Sequence, residues 1–210
     1  MKIYDISQEV FGCIVYPGDP SPEKMTIMKI SDGSVCNLTA LKMCAHNGTH
    51  VDAPYHFIDH GMTIDQVPLD RFIGYAFVAS HEGDLYAADA ETIIGRAVTA
   101  SVQSGISDCD CYNRILVRGK AVVTEEAAKV FAGHQILLFG NESQTVGPED
   151  APMAVHLIML KKRIVLLEGI RLSAVEDGLY FLNAAPLNLG GCDGAPCRAW
   201  LISAEEKDPD

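Results

Sequence analysis

Positive charge is scarce in this 210-residue chain, where 16 Lys and Arg stand against 28 Asp and Glu for a formal net charge of −12. Phosphate binding needs clustered cations, so the shortage argues against nucleic acid and anionic membrane surfaces as partners. No apolar run is long enough to span a bilayer. The opening Met1 to Ser7 lacks the apolar stretch of a secretory signal, so a cytoplasmic location is expected. C-x-x-C spacing is missing too. The seven cysteines, at 13, 36, 44, 109, 111, 192 and 197, are odd in number and scattered, as free thiols in a reducing compartment would be. Cys109 and Cys111 form a C-x-C pair that reads as an incidental loop feature. No repeat, low-complexity segment or linker interrupts the chain, so residues 1–210 are expected to form one domain with a substantial core. A soluble enzyme acting on a small, weakly charged substrate fits this composition better than a binder of polyanions.

Histidine is also sparse, and it is unevenly spent. Four of the seven, His46, His50, His56 and His60, fall between residues 46 and 60. The stretch from His46 to His56 reads H-N-G-T-H-V-D-A-P-Y-H and adds Asp52. Imidazole nitrogen and carboxylate oxygen are the usual ligands of zinc and its divalent neighbours. All these side chains sit at even positions, so an extended segment turns them to one side. Gly48 and Pro54 oppose a helix interior, and Asn47 stands where the helical H-E-x-x-H protease motif needs Glu. The plainer reading is a polar turn whose histidines only hydrogen-bond, at the cost of desolvating many polar groups.

Local patterning then gives a run of short strands with few helices. Strands are expected at Lys2 to Ser7, Phe11 to Tyr16, Met25 to Ile30 and Val35 to Met43, with a turn at Pro17 to Pro20. The apolar run Phe72 to Ala79 reads as a buried strand. Asp89 caps a helix through about Ala97, and Ser101 to Asn113 reads as a loop. A short strand at Ile115 to Arg118 precedes a helix begun at Thr124, with Glu125 and Glu126 in its first turn and Gly133 as terminator. Ile136 to Phe139 and Ile164 to Leu167 read as strands, Ala154 to Lys162 as a helix, and Gly140 to Pro152 as a loop. Strands at Tyr180 to Leu182 and Ala199 to Ser203 flank a turn at Gly190 to Pro196, and the acidic tail Glu205 to Asp210 is expected to fray.

Two later residues fall at suggestive places. Glu168 ends the run Ile164 to Leu167, where a strand can hand a carboxylate to a cleft, and His156 lies in the apolar helix before it. A satisfied core histidine and a solvated strand-end carboxylate would also explain them, and spacing does not choose.

The segment H-x-G-T-H-x-D-x-P-x-H-F, His46 to Phe57, resembles the signature of the putative cyclase family, which includes bacterial kynurenine formamidase and isatin hydrolase. Y-P-G-D at Tyr16 to Asp19, G-M-T-I-D-Q-V-P-L from Gly61, T-x-E-A-A at Thr124 and D-G-A-P-C-R-A near the end fit it too. The resemblance implies an α/β swivelling β/β/α domain, a mixed sheet with few helices, in homo-oligomers such as dimers or tetramers. It implies one or two divalent ions, zinc first and manganese as the alternative. His46, His50 and Asp52 would bind the first, and Asp52, His156 and Glu168 would bind or bridge to the second. His56 would donate and accept the proton, and Tyr16 would line the substrate pocket.

The chemistry implied is attack of an activated water on an aryl formamide, N-formylkynurenine giving kynurenine and formate. Opening of a cyclic amide, as by isatin hydrolase, is the second enzyme reading. A metal-containing binding protein without turnover is the reading from another class, and the intact His56 counts against it. Four positions depart from the formamidase pattern: Glu142 stands in place of Asp, Gly169-Ile170 in place of Asn-Leu, and Tyr16 in place of Trp.

Overall fold

Phe77 and Ala79 alternate with Ala76 and Val78 along the central apolar run, and all four are buried. Such a strand needs cover on both faces, and the remaining elements supply it. In the computed structural model, which describes residues 1–203, the chain opens with β1 (Ile3–Asp5), β2 (Glu23–Met28), β3 (Leu38–Lys42) and β4 (His50–Asp52). Next come β5 (Ile73–Ser80), β6 (Gly83–Leu85), the helix α1 (Ala87–Gln103), β7 (Arg114–Arg118), β8 (Ala121–Val123) and α2 (Glu125–His134). The chain continues through β9 (Leu138–Asn141), α3 (Met153–Leu160), β10 (Val165–Glu168), β11 (Gly178–Asn183), β12 (Gly194–Pro196) and β13 (Trp200–Ser203).

Nine strands make one mixed sheet in the order β1-β13-β11-β5-β7-β9-β10-β4-β12. β5, β7, β9 and β10 run parallel, and the flanking pairs are antiparallel. Parallel neighbours need crossovers, which α1, α2 and α3 provide. The three helices share one core with Phe77, Ile115, Phe139 and Leu166. Ala76, Val78, Leu116, Leu138 and Leu167 face the other core, which Ile6, Phe72, Leu172 and Leu201 complete. Period-two alternation thus divides each central strand between two apolar layers. This is the mixed α/β architecture with few helices that the resemblance implied.

Several local expectations are corrected. Phe11 to Tyr16 forms turns instead of a strand. Its backbone groups are taken locally and by side chains, with Ile14 N donating to Gln8 Oε1 at 3.3 Å and Gly12 N to Glu9 Oε2 at 2.6 Å. α1 starts after Tyr86, whose N–H is capped by Asp89 at 2.9 Å, and runs on to Gln103 through residues expected to be loop. α2 passes through Gly133 and ends at Gln135 in a left-handed conformation, φ 56°. Its start is as expected, with Thr124 Oγ1 accepting from Ala127 N at 3.3 Å. Among the described residues β6 and β8, three residues each, pair with one another alone in a parallel ribbon, and they left no readable period. β12 lies inside the expected turn Gly190 to Pro196, because Gly-Ala-Pro carries no strand signal and tolerates an edge. The expected fraying of Glu205 to Asp210 lies outside the described residues.

Asp177 fastens β5 to β7 at one end of the sheet. It accepts from Ser80 N at 3.1 Å, from the Ser80 hydroxyl, from Arg96 Nη2 at 2.8 Å and from Arg118 Nη2 at 3.2 Å. Burial works to raise its pKa, yet the Ser80 and Arg96 hydrogen bonds outweigh it and hold the carboxyl below its ordinary 3.8. A depressed folded pKa contributes stability that is complete above the unfolded value and is lost as pH falls through the folded one. Asp177→Asn is therefore expected to cost about 1 to 2 kcal/mol at neutral pH. Urea titrations at pH 7 and pH 3 check this: the gap between variant and parent should shrink in acid.

Candidate metal centre

The cluster is assembled by β4, which lies between β10 and β12 in the sheet. Antiparallel register sets His50 opposite Glu168 and Asp52 opposite Leu166 on one side, and Gly194 opposite Asp52 on the other. His50 and Asp52 alternate with Val51, which enters the second core, so both functional side chains emerge on one face as their even spacing requires.

The other residues of the opening motif hold this strand in place. Asn47 is fully buried, accepting from Cys44 N at 2.8 Å and donating to Pro20 O at 3.1 Å. Gly48 takes a φ of 72°, which lets the chain turn into β4 at little strain. Thr49 Oγ1 accepts from Gln8 N at 2.9 Å and donates to Gly169 O at 2.8 Å, fixing β4 beside Glu168. Pro54 then opens the 3-10 turn Pro54–His56 that carries His56 back over the cluster.

His46, His50, Asp52, His56, His156 and Glu168 all converge. The ligating atoms of His46, Asp52 and His56 lie within 4.8 Å of one another, as do those of His50, Asp52 and Glu168. Asp52 belongs to both groups. His156 Nε2 joins at 3.2 Å from Glu168 Oε1 and 3.6 Å from Asp52 Oδ2. His50 Nε2 lies 3.6 Å from Asp52 Oδ1 and 3.4 Å from Glu168 Oε2, and His56 stands beside His46. His60 is exposed, pairs among the described residues with Asp59 at 3.3 Å, and stands outside the cluster.

Hydrogen bonds fix which nitrogen each imidazole presents. His50 Nδ1 donates to Gly48 O at 3.0 Å and His156 Nδ1 to Pro152 O at 2.8 Å, so each turns an Nε2 lone pair toward the carboxylates. His46 Nε2 lies 2.8 Å from Asp193 Oδ2, which leaves its Nδ1 facing Asp52 Oδ1 at 2.9 Å. Acceptors aimed at acceptors require a cation between them, whether a proton or a metal ion. Asp52 Oδ2 shows the need most plainly, being buried with no hydrogen-bond partner.

Without a metal, protons serve. Burial is the largest influence on His46 and disfavours its charge, but hydrogen bonds to Asp193 and Asp52 overcome it and raise the imidazole to about 11. His50 and His156 are raised against burial in the same way, chiefly by Glu168. Asp52 is held well below the usual carboxylate range, since His46 and its neighbours outweigh the burial that would raise it. Two buried carboxylates among three imidazoles make a donor set suited to a divalent ion.

His56 differs from the other three. Its side chain is 26 % exposed, against 2 % for His50 and 3 % for His156, so it borders open space. Phe57 packs edge-on to it, with centroids 4.6 Å apart, and also against His156 at 4.5 Å. Tyr16 is half-buried, and its hydroxyl donates to Glu149 O at 2.7 Å, bridging the N-terminal turns to the loop after β9. Burial and then the charges of Glu149 and Glu168 raise its phenol. Glu142 ties two backbone segments together, its carboxylate accepting from Gly119 N at 2.7 Å and Leu172 N at 2.8 Å. The pair Cys109 and Cys111 is buried in the helical core.

Asp193 is the site residue that pattern reading passed over. It lies 2.8 Å from His46 and 3.1 Å from His56, and the D-G-A-P motif was its only sequence signal.

Comparison with known proteins places the chain among relatives. A family model described as "Putative cyclase" matches residues 4–148. A kynurenine formamidase of Salinibacter ruber is 33 % identical, covering 98 % of this chain and 100 % of its own length. A solved structure described as a potential metal-dependent hydrolase with cyclase activity superposes with a TM-score of 0.77 at 26 % identity, covering 95 % of this chain and 96 % of its own. Isatin hydrolase A from Labrenzia aggregata shares the fold, with a TM-score of 0.74 at 20 % identity over 97 % of this chain and 94 % of its own. A family model that spans most of the chain and the histidine signature at its centre lead to one conclusion: the chain belongs to the putative cyclase family.

Proposed function

We propose that the protein is a metal-dependent amidohydrolase whose substrate is an aryl formamide, N-formylkynurenine being the leading candidate. The observation that carries the reading is the convergence of two tautomer-fixed imidazoles, His50 and His156, and of His46 on Asp52 and Glu168, with the accessible His56 beside them. The formamidase relative supports the formamide choice. Asp52 is assigned as the residue shared between two ion positions, with His46 and His50 toward one and His156 and Glu168 toward the other. Zinc suits this nitrogen and oxygen donor set best, and manganese is the alternative.

A bound divalent ion supplies an acidified water, with a pKa brought toward about 7, and positive charge for the oxyanion that develops on the amide carbonyl. His56 Nε2, left free because Nδ1 faces Asp193, takes the proton as water attacks. The same imidazole returns it to the leaving amine, which would otherwise depart as a poor anionic group. Phe57 limits the orientations open to the His56 ring. Tyr16 and the loop it is tied to give an aryl group an aromatic surface to pack on.

The β2–β3 hairpin supports a homo-oligomer, a dimer or tetramer. Among the described residues its two strands pair with each other alone, and Met25, Ile27, Leu38 and Leu41 are exposed on it. A two-stranded ribbon is marginal alone in water, so packing against another copy would stabilise it. Light scattering on the purified protein should give at least twice the 22.7 kDa chain mass, and a monomer at micromolar concentration contradicts this.

The substrate assignment is tested with protein reconstituted with zinc or manganese, offered N-formylkynurenine and isatin separately. Release of kynurenine and formate, abolished by a chelator, is expected. His56→Ala should lower kcat by about 10²- to 10⁴-fold while metal content stays unchanged. Isatin opening without formamide hydrolysis selects the cyclic-amide reading, and full activity in His56→Ala removes that residue from the proton transfer.

A further inference from the structure

One carboxylate oxygen serves both the ligand histidine and the proposed base. Asp193 Oδ2 lies 2.8 Å from His46 Nε2 and 3.1 Å from His56 Nδ1, and the two rings lie against each other tilted by 33°, with centroids 4.1 Å apart. The backbone seats this residue firmly. Its carbonyl accepts from Ala53 N at 2.9 Å, and the next residue, Gly194, pairs with Asp52 across β4 and β12. Gly194 is needed there because a Cβ would lie 2.8 Å from His46 Cε1 and 2.7 Å from Val51 O. The Asp-Gly pair thus supports His46 from two directions, by hydrogen bond and by close backbone approach.

Building on the hydrolase reading above, we propose that Asp193 is a positioning residue that fixes the tautomers of His46 and His56 together. A carboxylate only accepts, so both rings must donate to it. His46 then presents Nδ1 to Asp52, and His56 presents Nε2 to the substrate side. A ligand histidine whose far nitrogen donates to a carboxylate is oriented and made more basic. A base whose far nitrogen does so cannot adopt the tautomer that would leave Nε2 protonated and unable to accept. Asn at 193 keeps the shape but offers an amide N–H to either ring, which permits the wrong tautomer.

The test uses zinc-loaded protein. Asp193→Asn should lower kcat for the formamide by about 10²-fold or more, with KM within a few-fold of the parent. Zinc affinity, read by competition with a chromophoric chelator, should fall by about 10- to 100-fold. Histidine ¹⁵N NMR should show the His56 Nε2–H tautomer appearing, and Asp193→Glu should restore part of kcat. Gly194→Ala, which keeps the carboxylate, should weaken zinc binding by displacing His46. Parent-like zinc affinity and unchanged tautomers in Asp193→Asn overturn the proposal, as does an equal loss of kcat in Asp193→Glu with unchanged tautomers. If the parent hydrolyses no amide at all, the hydrolase reading fails, while the affinity and NMR results still decide the role of Asp193.

Discussion

Three histidines each commit one ring nitrogen to an acceptor of the fold and aim the other at a buried carboxylate. That constraint organises the rest of the structure. Leaving Asp52 Oδ2 buried without a partner costs on the order of 1 to 3 kcal/mol, and the charge it carries makes the cost larger. The sheet must therefore bring cationic charge to that oxygen. It does so by sandwiching β4 between β10 and β12, so that Glu168 stands opposite His50 and Gly194 opposite Asp52. The helical layer contributes the last imidazole, since α3 carries His156 on the face that also packs Val155 and Met159 into the core.

The division of labour among the histidines follows from burial. His50 and His156 are enclosed and have one fixed nitrogen each, which suits ligands that must not titrate freely. His56 stands at the border with solvent on a short turn, where a proton can enter and leave. Asp193 links the two kinds, touching the ligand His46 and the border residue His56 with the same oxygen.

Much of this was legible in the sequence because the signature residues are consecutive and each acts locally. The even spacing of His50 and Asp52 placed them on one strand face, whereas the strand end at Glu168 fitted a solvated carboxylate equally well and only the family resemblance brought it into the site. Asp193 was not legible, because its partners lie 147 and 137 residues away and Gly-Ala-Pro carries no strand pattern. β6 and β8 were lost for a related reason: three-residue strands have too few positions to show a period. Phe11 to Tyr16 failed in the opposite direction. Its apolar residues suit a strand, but Gln8 and Gln144 take backbone groups that a ladder would have used. Glu142, an oddity against the formamidase pattern, fastens two backbone segments and bears on shape more than on chemistry.

Asp52 is the shared anchor on which a divalent metal centre here would depend. Anomalous diffraction at the zinc edge, from crystals grown with zinc, tests that most directly. The expected result is a peak about 2.0 to 2.2 Å from an Asp52 oxygen and from imidazole nitrogens of this cluster. Zinc bound elsewhere, or no peak while Asp52 keeps a proton-mediated contact to His46, would contradict it.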